Sequence, residues 1–304
     1  SVYLHSYDSS YAPNVIAVKV GENDDSTYVI CAHLDATIGS PWMNEPVAPG
    51  ADDNGSGSAC VLEAARVMAD YEFKHRLVFI CFTGEEQGLV GSWAWCLEHM
   101  GDPMYGCLNA DMIGYMDTSP DRLKIYSDNQ SIWLMQFVDS CANSYVPEVE
   151  IYPEVDPGMV WSDHASFWDI GVSALCHIEY PLGWNPFYHT LGDTIGGGFN
   201  DLRFCWLTTK VGVAALASLA QPIGQGIFEN EEVGVVTIKR YLPSIITGVI
   251  KIPKGSSAKF FDVGGRFVIE CQEEEIRLSS GIYFAVLKTK KESVVEKIIC
   301  IEMR

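Results

Sequence analysis

The chain has 304 residues, of which 48% are hydrophobic, 12% aromatic and 20% charged, a balance that supplies a sizeable core and excludes an intrinsically disordered chain. No run of about 18 apolar residues marks a membrane span. Twenty Lys and Arg against forty Asp and Glu give a net charge of -20, which argues against nucleic acid and anionic membrane surfaces as partners.

The charge is unevenly placed. From Gln225 onward there are 12 basic and 11 acidic residues, whereas the preceding part carries 8 and 29, so two modules with different surfaces are expected, 1–222 and 223–304. The chain opens at Ser1 almost directly into a strand pattern, and upstream sequence is expected to have been removed. β-Branched and apolar runs predict strands at 15–20, 28–32, 77–82, 107–112, 123–126 and 172–178. Between them, apolar residues spaced three and four apart predict helices at 57–71, 89–100, 132–145 and 202–219, with Val61, Ala64, Ala65 and Met68 marking the buried face of the first. This alternation reads as an α/β fold with a mixed, largely parallel sheet flanked by helices. Gln221-Pro222-Ile223-Gly224 reads as a linker. After it, short strands at 233–241, 245–252, 266–271, 282–287 and 297–301, without helical period, predict a small all-β sandwich.

The acidic residues and histidines of the first module gather at strand C-terminal ends. His33 and Asp35 follow the second strand, Glu85 and Glu86 the third, Asp111 the fourth, and Asp52 and Asp53 sit in a glycine-rich loop before a helix. In open α/β sheets those ends form the ligand crevice, so groups far apart in sequence can converge there. So many carboxylates together need a cation, because unscreened like charges raise one another's pKa. Taken singly, each has an ordinary explanation: a polar strand end, a helix cap at Asp53 or Asn54, an acidic helix start at Glu85-Glu86. Asp111 is harder to place that way, since an unpaired acid in an apolar run is costly to bury.

Taken together, the segments 32–35 (AHLD), 49–57 (PGADDNGSG), 83–92 (TGEEQGLVGS), 109–115 (NADMIGY), 162–164 (SDH) and 189–194 (HTLGDT) resemble, in order, the zinc aminopeptidase family that includes secreted bacterial leucyl aminopeptidases. The resemblance implies a zinc exopeptidase fold and a site for two Zn2+, with other divalent metals also possible. His33 and Asp111 would complete one ion, Glu86 and His189 the other, with Asp52 bridging. Glu85 would be the general base acting on a zinc-bridging hydroxide, and Asp35 would accept a hydrogen bond from His33. Asp53 would follow a cis peptide. Three carboxylates and one hydroxide balance two divalent zincs, and two imidazoles complete a nitrogen and oxygen set that zinc accepts.

By the same resemblance, Met112, Leu175, Trp184 and Tyr188 would line an apolar pocket for the first side chain of a peptide with a free N-terminus. Met159 stands where relatives carry a tyrosine in a disulfide-bridged loop, so that hydrogen-bond donor is absent. His177 falls where relatives have an aromatic, and is either a polar specificity element or simply buried. Asp163, His164, Thr190 and Asp193 read as loop-shaping groups. The segment 280–287, with 297–301, resembles the sorting domains of bacterial type IX secretion, implying a secreted or cell-surface enzyme that meets secretion machinery through this module. Rival readings are a carboxypeptidase, a one-zinc glutaminyl cyclase-like enzyme and a non-catalytic receptor-like relative. A carboxypeptidase needs a basic pocket, which eight Lys and Arg outside all six segments do not suggest.

Overall fold

The computed structural model describes residues 1–23, 25–43, 45–117, 121–180, 185–223, 245–247, 250–252, 254–262, 267–271, 275–276, 281–288 and 293–301. Two compact units emerge, Ser1–Ile223 and Gly224–Arg304. In the first, the chain runs β1 (Val2–His5), β2 (Asn14–Lys19), β3 (Thr27–His33), α1 (Gly55–Met68), β4 (Glu72–Phe73), β5 (Arg76–Phe82), α2 (Val90–Glu98), β6 (Met104–Ala110), β7 (Arg122–Ser127), α3 (Ile132–Tyr145), β8 (Glu150–Val155), α4 (His164–Asp169), β9 (Ala174–Glu179), α5 (Leu202–Ala220) and β10 (Pro222–Ile223).

Eight strands form one sheet in the order β1-β2-β5-β3-β6-β9-β7-β8. Its centre is parallel, since β3 pairs in parallel with β5 and β6, and β6 with β9. The flanks are antiparallel where β2 meets β5 and β7 meets β9. Central strands covered on both faces read as continuous apolar runs rather than alternating ones, and Val29, Ile30, Cys31 and Ala32 of β3 are all buried. On one face Trp95 and Cys96 of α2 and Phe167 of α4 pack with Cys31, Ile80, Phe82 and Cys107. α1 and α3 both pack against α5. That helix is long and apolar enough to cross a membrane by length and composition, but Phe204, Leu207, Val211, Ala215 and Leu216 bury one side of it within the unit.

The fold is the expected α/β arrangement with a mixed, mostly parallel sheet. Helix periodicity gave the bounds of α3 directly, because its buried Leu134, Met135, Val138, Cys141 and Ala142 keep the three-four spacing. It did not give β1, β8 or α4: β8 is an edge strand with mostly exposed residues and an internal Pro153, and α4 spans only six residues.

The second unit contains β11 (Ile245–Thr247), β12 (Ile250–Lys251), β13 (Ser257–Asp262), β14 (Phe267–Cys271), β15 (Glu275–Ile276), β16 (Gly281–Lys288) and β17 (Ser293–Ile301). Five of these form a sheet in the order β11-β17-β16-β13-β14, and the described residues of this unit include no helix. Ala258, Phe260 and Ala285 are buried there. The expected strand at 233–241 lies outside the described residues.

Candidate metal centre

Three strand ends and two loops bring the acidic and histidine side chains together. His33 is the last residue of β3, Asp111 follows β6, Glu85 and Glu86 lie in the turn between β5 and α2, Asp53 precedes α1, and His189 lies between β9 and α5. α1 can start where it does because Asn54 caps it, accepting the Gly57 N–H at 2.9 Å, while Asn54 Nδ2 donates to the Ala110 carbonyl at 2.9 Å. Position 57 must be glycine, since a Cβ there would lie 2.2 Å from the Ala110 carbonyl oxygen. The first turn of α1 is thereby seated on the end of β6, beside Asp111.

Two donor sets result, and they share Asp53. His33 Nε2 lies 3.2 Å from Asp53 Oδ1 and 3.4 Å from Asp111 Oδ1. His189 Nε2 lies 3.1 Å from Asp53 Oδ2 and 3.0 Å from Glu86 Oε2. The ligand atoms of each set, His33 with Asp53 and Asp111, and Asp53 with Glu86 and His189, lie within 4.8 Å of one another. Asp53 Oδ2, Asp111 Oδ1 and Glu86 Oε1 are buried without a well-formed hydrogen bond. Such orphaned carboxylate oxygens are costly unless a cation meets them, so the residues fit a pair of divalent ions.

The expected bridging role of Asp52 is corrected. Its carboxylate, wholly buried, turns away from the histidines and accepts the Gly114 N–H at 2.7 Å and Asn185 Nδ2 at 2.9 Å. Glu179 shares a further hydrogen bond with it. Burial pushes the Asp52 carboxyl up to about 6, and burial together with the neighbouring Asp52 raises Glu179 well above the usual carboxylate range. The cis bond is likewise Asp53–Asn54, not the bond before Asp53.

Asp35 does accept a hydrogen bond from His33, through its main chain rather than its carboxylate. His33 Nδ1 donates to the main-chain carbonyl of Asp35 at 3.0 Å, and its carboxylate is 3.8 Å away. That carboxylate accepts the N–H groups of Glu85 (3.3 Å) and Glu86 (3.2 Å) instead, fixing the turn that carries both glutamates. The Nδ1 bond leaves His33 Nε2 as the free ring nitrogen, facing the carboxylates.

The electrostatics follow from burial among like charges. Glu85 is nine-tenths buried; desolvation, then Asp111, Asp163 and Glu86, hold its carboxyl well above the usual range against the pull of His33. Burial disfavours the Asp53 anion, but hydrogen bonds and charges of His189 and His33 bring it down to about 2. For His189 burial is outweighed by Asp53 and Glu86, and its pKa rises to about 9.

One hollow of about 70 Å³ holds His33, Asp53, Glu85, Glu86, Asp111 and His189, and continues along Met112, Met159, Trp161, Ile178 and Tyr188. Met112, Met159 and Tyr188 line this hollow beside the donors. Leu175 is not: it is fully buried in β9, and Ile178, on the opposite face of that strand, lines the hollow in its place. Trp184 lies outside the described residues. His177 is the buried alternative, with a pKa lowered to about 4 by desolvation alone. Met112 and His189 both adopt left-handed backbone (φ 54° and 52°), unusual for residues with side chains and concentrated here at the site.

Asp193 was expected to shape a loop, and its carboxylate receives the N–H groups of Asp52 (2.9 Å) and Asp53 (3.0 Å). Sequence reasoning missed Asn185, Glu179, Trp161 and Ile178. Glu179 carried the same signal as Asp111, an acid closing an apolar strand; nothing in the sequence distinguished Asn185 from other loop amides.

A profile described as peptidase family M28 matches residues 14–197. A probable leucine aminopeptidase of Arthroderma benhamiae is 32% identical over 192 residues, covering 60% of this chain and 51% of its own length. Leucine aminopeptidase 1 of Arthroderma otae is 34% identical over 207 residues, covering 62% and 54%. This chain therefore spans about half the length of the curated relatives it matches. Among solved structures, an aminopeptidase from Aneurinibacillus sp. strain AM-1 superposes with a TM-score of 0.57 at 28% identity, over 73% of this chain and 51% of that one. The LapA aminopeptidase of Legionella pneumophila gives 0.60 at 26%, over 74% and 59%.

Proposed function

The chain belongs to peptidase family M28, and from this premise we propose that its first unit is a metal-dependent aminopeptidase that removes apolar residues from the N-terminus of peptides. The observation that carries the reading is Asp53, one carboxylate shared by two donor sets, with Glu85 beside them. His33 and Asp111 would complete one site, Glu86 and His189 the other. Imidazole and carboxylate donors suit zinc. Such a pair, when bound, polarises the scissile carbonyl and acidifies water.

The protein's own groups supply the rest. Glu85, held in place by Asp35 through the main chain, takes a proton from the attacking water as the new C–O bond forms. The same carboxyl then passes that proton to the leaving amine nitrogen as the C–N bond breaks. Met112, Met159, Trp161, Ile178 and Tyr188 offer an apolar seat for the first side chain. Among the described residues the lining includes no Lys or Arg to hold a substrate carboxylate, which favours this reading over a carboxypeptidase.

Zinc content per chain, measured together with hydrolysis of leucine p-nitroanilide and its N-acetyl derivative, tests the proposal. Zinc-dependent cleavage of the free amine alone supports it; equal cleavage of both, or activity indifferent to chelators, removes it. For residues 224–304 we infer a role in export, supported by the resemblance to type IX sorting domains. Cell fractionation with and without that unit checks it, and unchanged export after deletion removes the inference.

A further inference from the structure

A second, larger hollow of about 810 Å³ adjoins the catalytic turn and shares none of its lining with the first. Its walls include Tyr11, Leu34, Pro41, Trp42, Met43 and Gln87. Asp35, Thr83 and Gly84 close it on the side of the metal centre, so the segments 33–35 and 84–87 separate the two: His33, Glu85 and Glu86 face one hollow, Leu34, Asp35, Gly84 and Gln87 the other.

Sheet order decides which part of a substrate reaches each. The apolar residues of the first hollow follow β6, lie in β9 or come from loops, whereas the second hollow lies at the ends of β3 and β5 and the segment before β2. The donor side chains line the first hollow, and His33 and Glu86 come from the segments that part it from the second. Glu85, which must deliver a proton to the leaving nitrogen, belongs to the turn after β5, so the departing chain is directed toward the second hollow.

The loop that forms its outer wall is built rather than loose. Glu45 Oε2 accepts Thr37 Oγ1 at 2.8 Å and the Ile38 N–H at 3.0 Å, and its Oε1 accepts the Ser40 N–H at 2.8 Å. Gln87 Nε2 donates to the Pro41 carbonyl at 3.2 Å, tying the loop to the catalytic turn. What this bracing holds up is an apolar surface in water: Trp42 and Met43 are each 72% exposed and Leu34 53%. Clustered exposed apolar side chains on a braced loop beside an active site mark a binding surface.

We propose that Leu34, Trp42 and Met43 form the seat for the residue after the scissile bond, and that this seat selects aromatic or large apolar side chains there. The assignment rests on the aminopeptidase reading above. Its test uses the full chain loaded with zinc and three substrates: leucinamide, leucylglycinamide and leucylphenylalaninamide. The wild-type protein is expected to favour the phenylalanine over the glycine substrate by about tenfold in kcat/KM, as expected for one well-placed apolar group. In the Trp42→Ala, Met43→Ala double variant, both positions being on the surface, that ratio should fall below about twofold. Leucine released at equal rates from both dipeptide amides by the wild type, or an unchanged ratio in the variant, overturns the seat and leaves the aminopeptidase reading intact. No leucine from any of the three removes both.

Discussion

Asp193 Oδ2 accepts the main-chain N–H of Asp53 at 3.0 Å, across 140 positions of sequence, while its other oxygen holds the N–H of Asp52. The loop that carries His189 is thus fastened to the loop that carries the shared carboxylate. Asp193→Ala should weaken zinc binding about 10- to 100-fold, the usual cost of removing a partner that orients a ligand. Competition with a chromophoric chelator measures it, with circular dichroism as the control for folding; unchanged affinity would contradict the fastening.

The two neighbouring aspartates separate cleanly. Asp53→Asn should drop zinc below one ion per chain and cut kcat/KM by at least ~100-fold, because both donor sets lose a member. Asp52→Asn, which alters only the hydrogen-bonded layer behind, should keep two ions per chain with a loss of about tenfold or less. Elemental analysis of the two purified variants distinguishes them, and the reverse pattern would restore Asp52 as the bridge.

Glu85→Gln should retain zinc and its fold while hydrolysing at least ~100-fold more slowly, since the amide cannot carry the proton. Single-turnover rates with leucine p-nitroanilide check the figure. Near-normal turnover would transfer the proton role to another group.

His177 sets a pH dependence of stability. Its folded pKa, about 4, lies below the unfolded value of about 6.5, so the unfolded chain binds the proton first. Above about pH 6.5 the group exerts no penalty; between there and about 4 the folded state loses stability, by up to about 3 kcal/mol. Urea unfolding at pH 7 and pH 4.5 should show a smaller acid loss in His177→Leu than in the wild type. Equal losses would show that other groups govern acid unfolding.

Local chemistry marked His33, Glu86 and Asp111, each close to where an apolar run stops, but their roles as donors, and His189 altogether, came from the resemblance across six segments. Asp52 and Asp53 defeated it, because adjacent acids are chemically equal and only the backbone path into the Asn54 cap decides which one faces the histidines. Leu175 and Ile178 posed a similar problem. Three residues apart on a strand they point to opposite faces, and the face that meets the hollow depends on how β9 is inserted between β6 and β7. Helix α3 was legible from periodicity alone, while α4 was too short to show a period.

The donors span residues 33 to 189 and hang from strands whose order in the sheet differs from their order in the chain. No fragment ending before His189 can present both donor sets, and β5 must insert beside β3 before Glu86 reaches its place. On the two-ion reading proposed above, ion capture would follow the non-local pairings that set the folding rate. A nascent chain stalled upstream of His189 would lack the donor set of Asp53, Glu86 and His189.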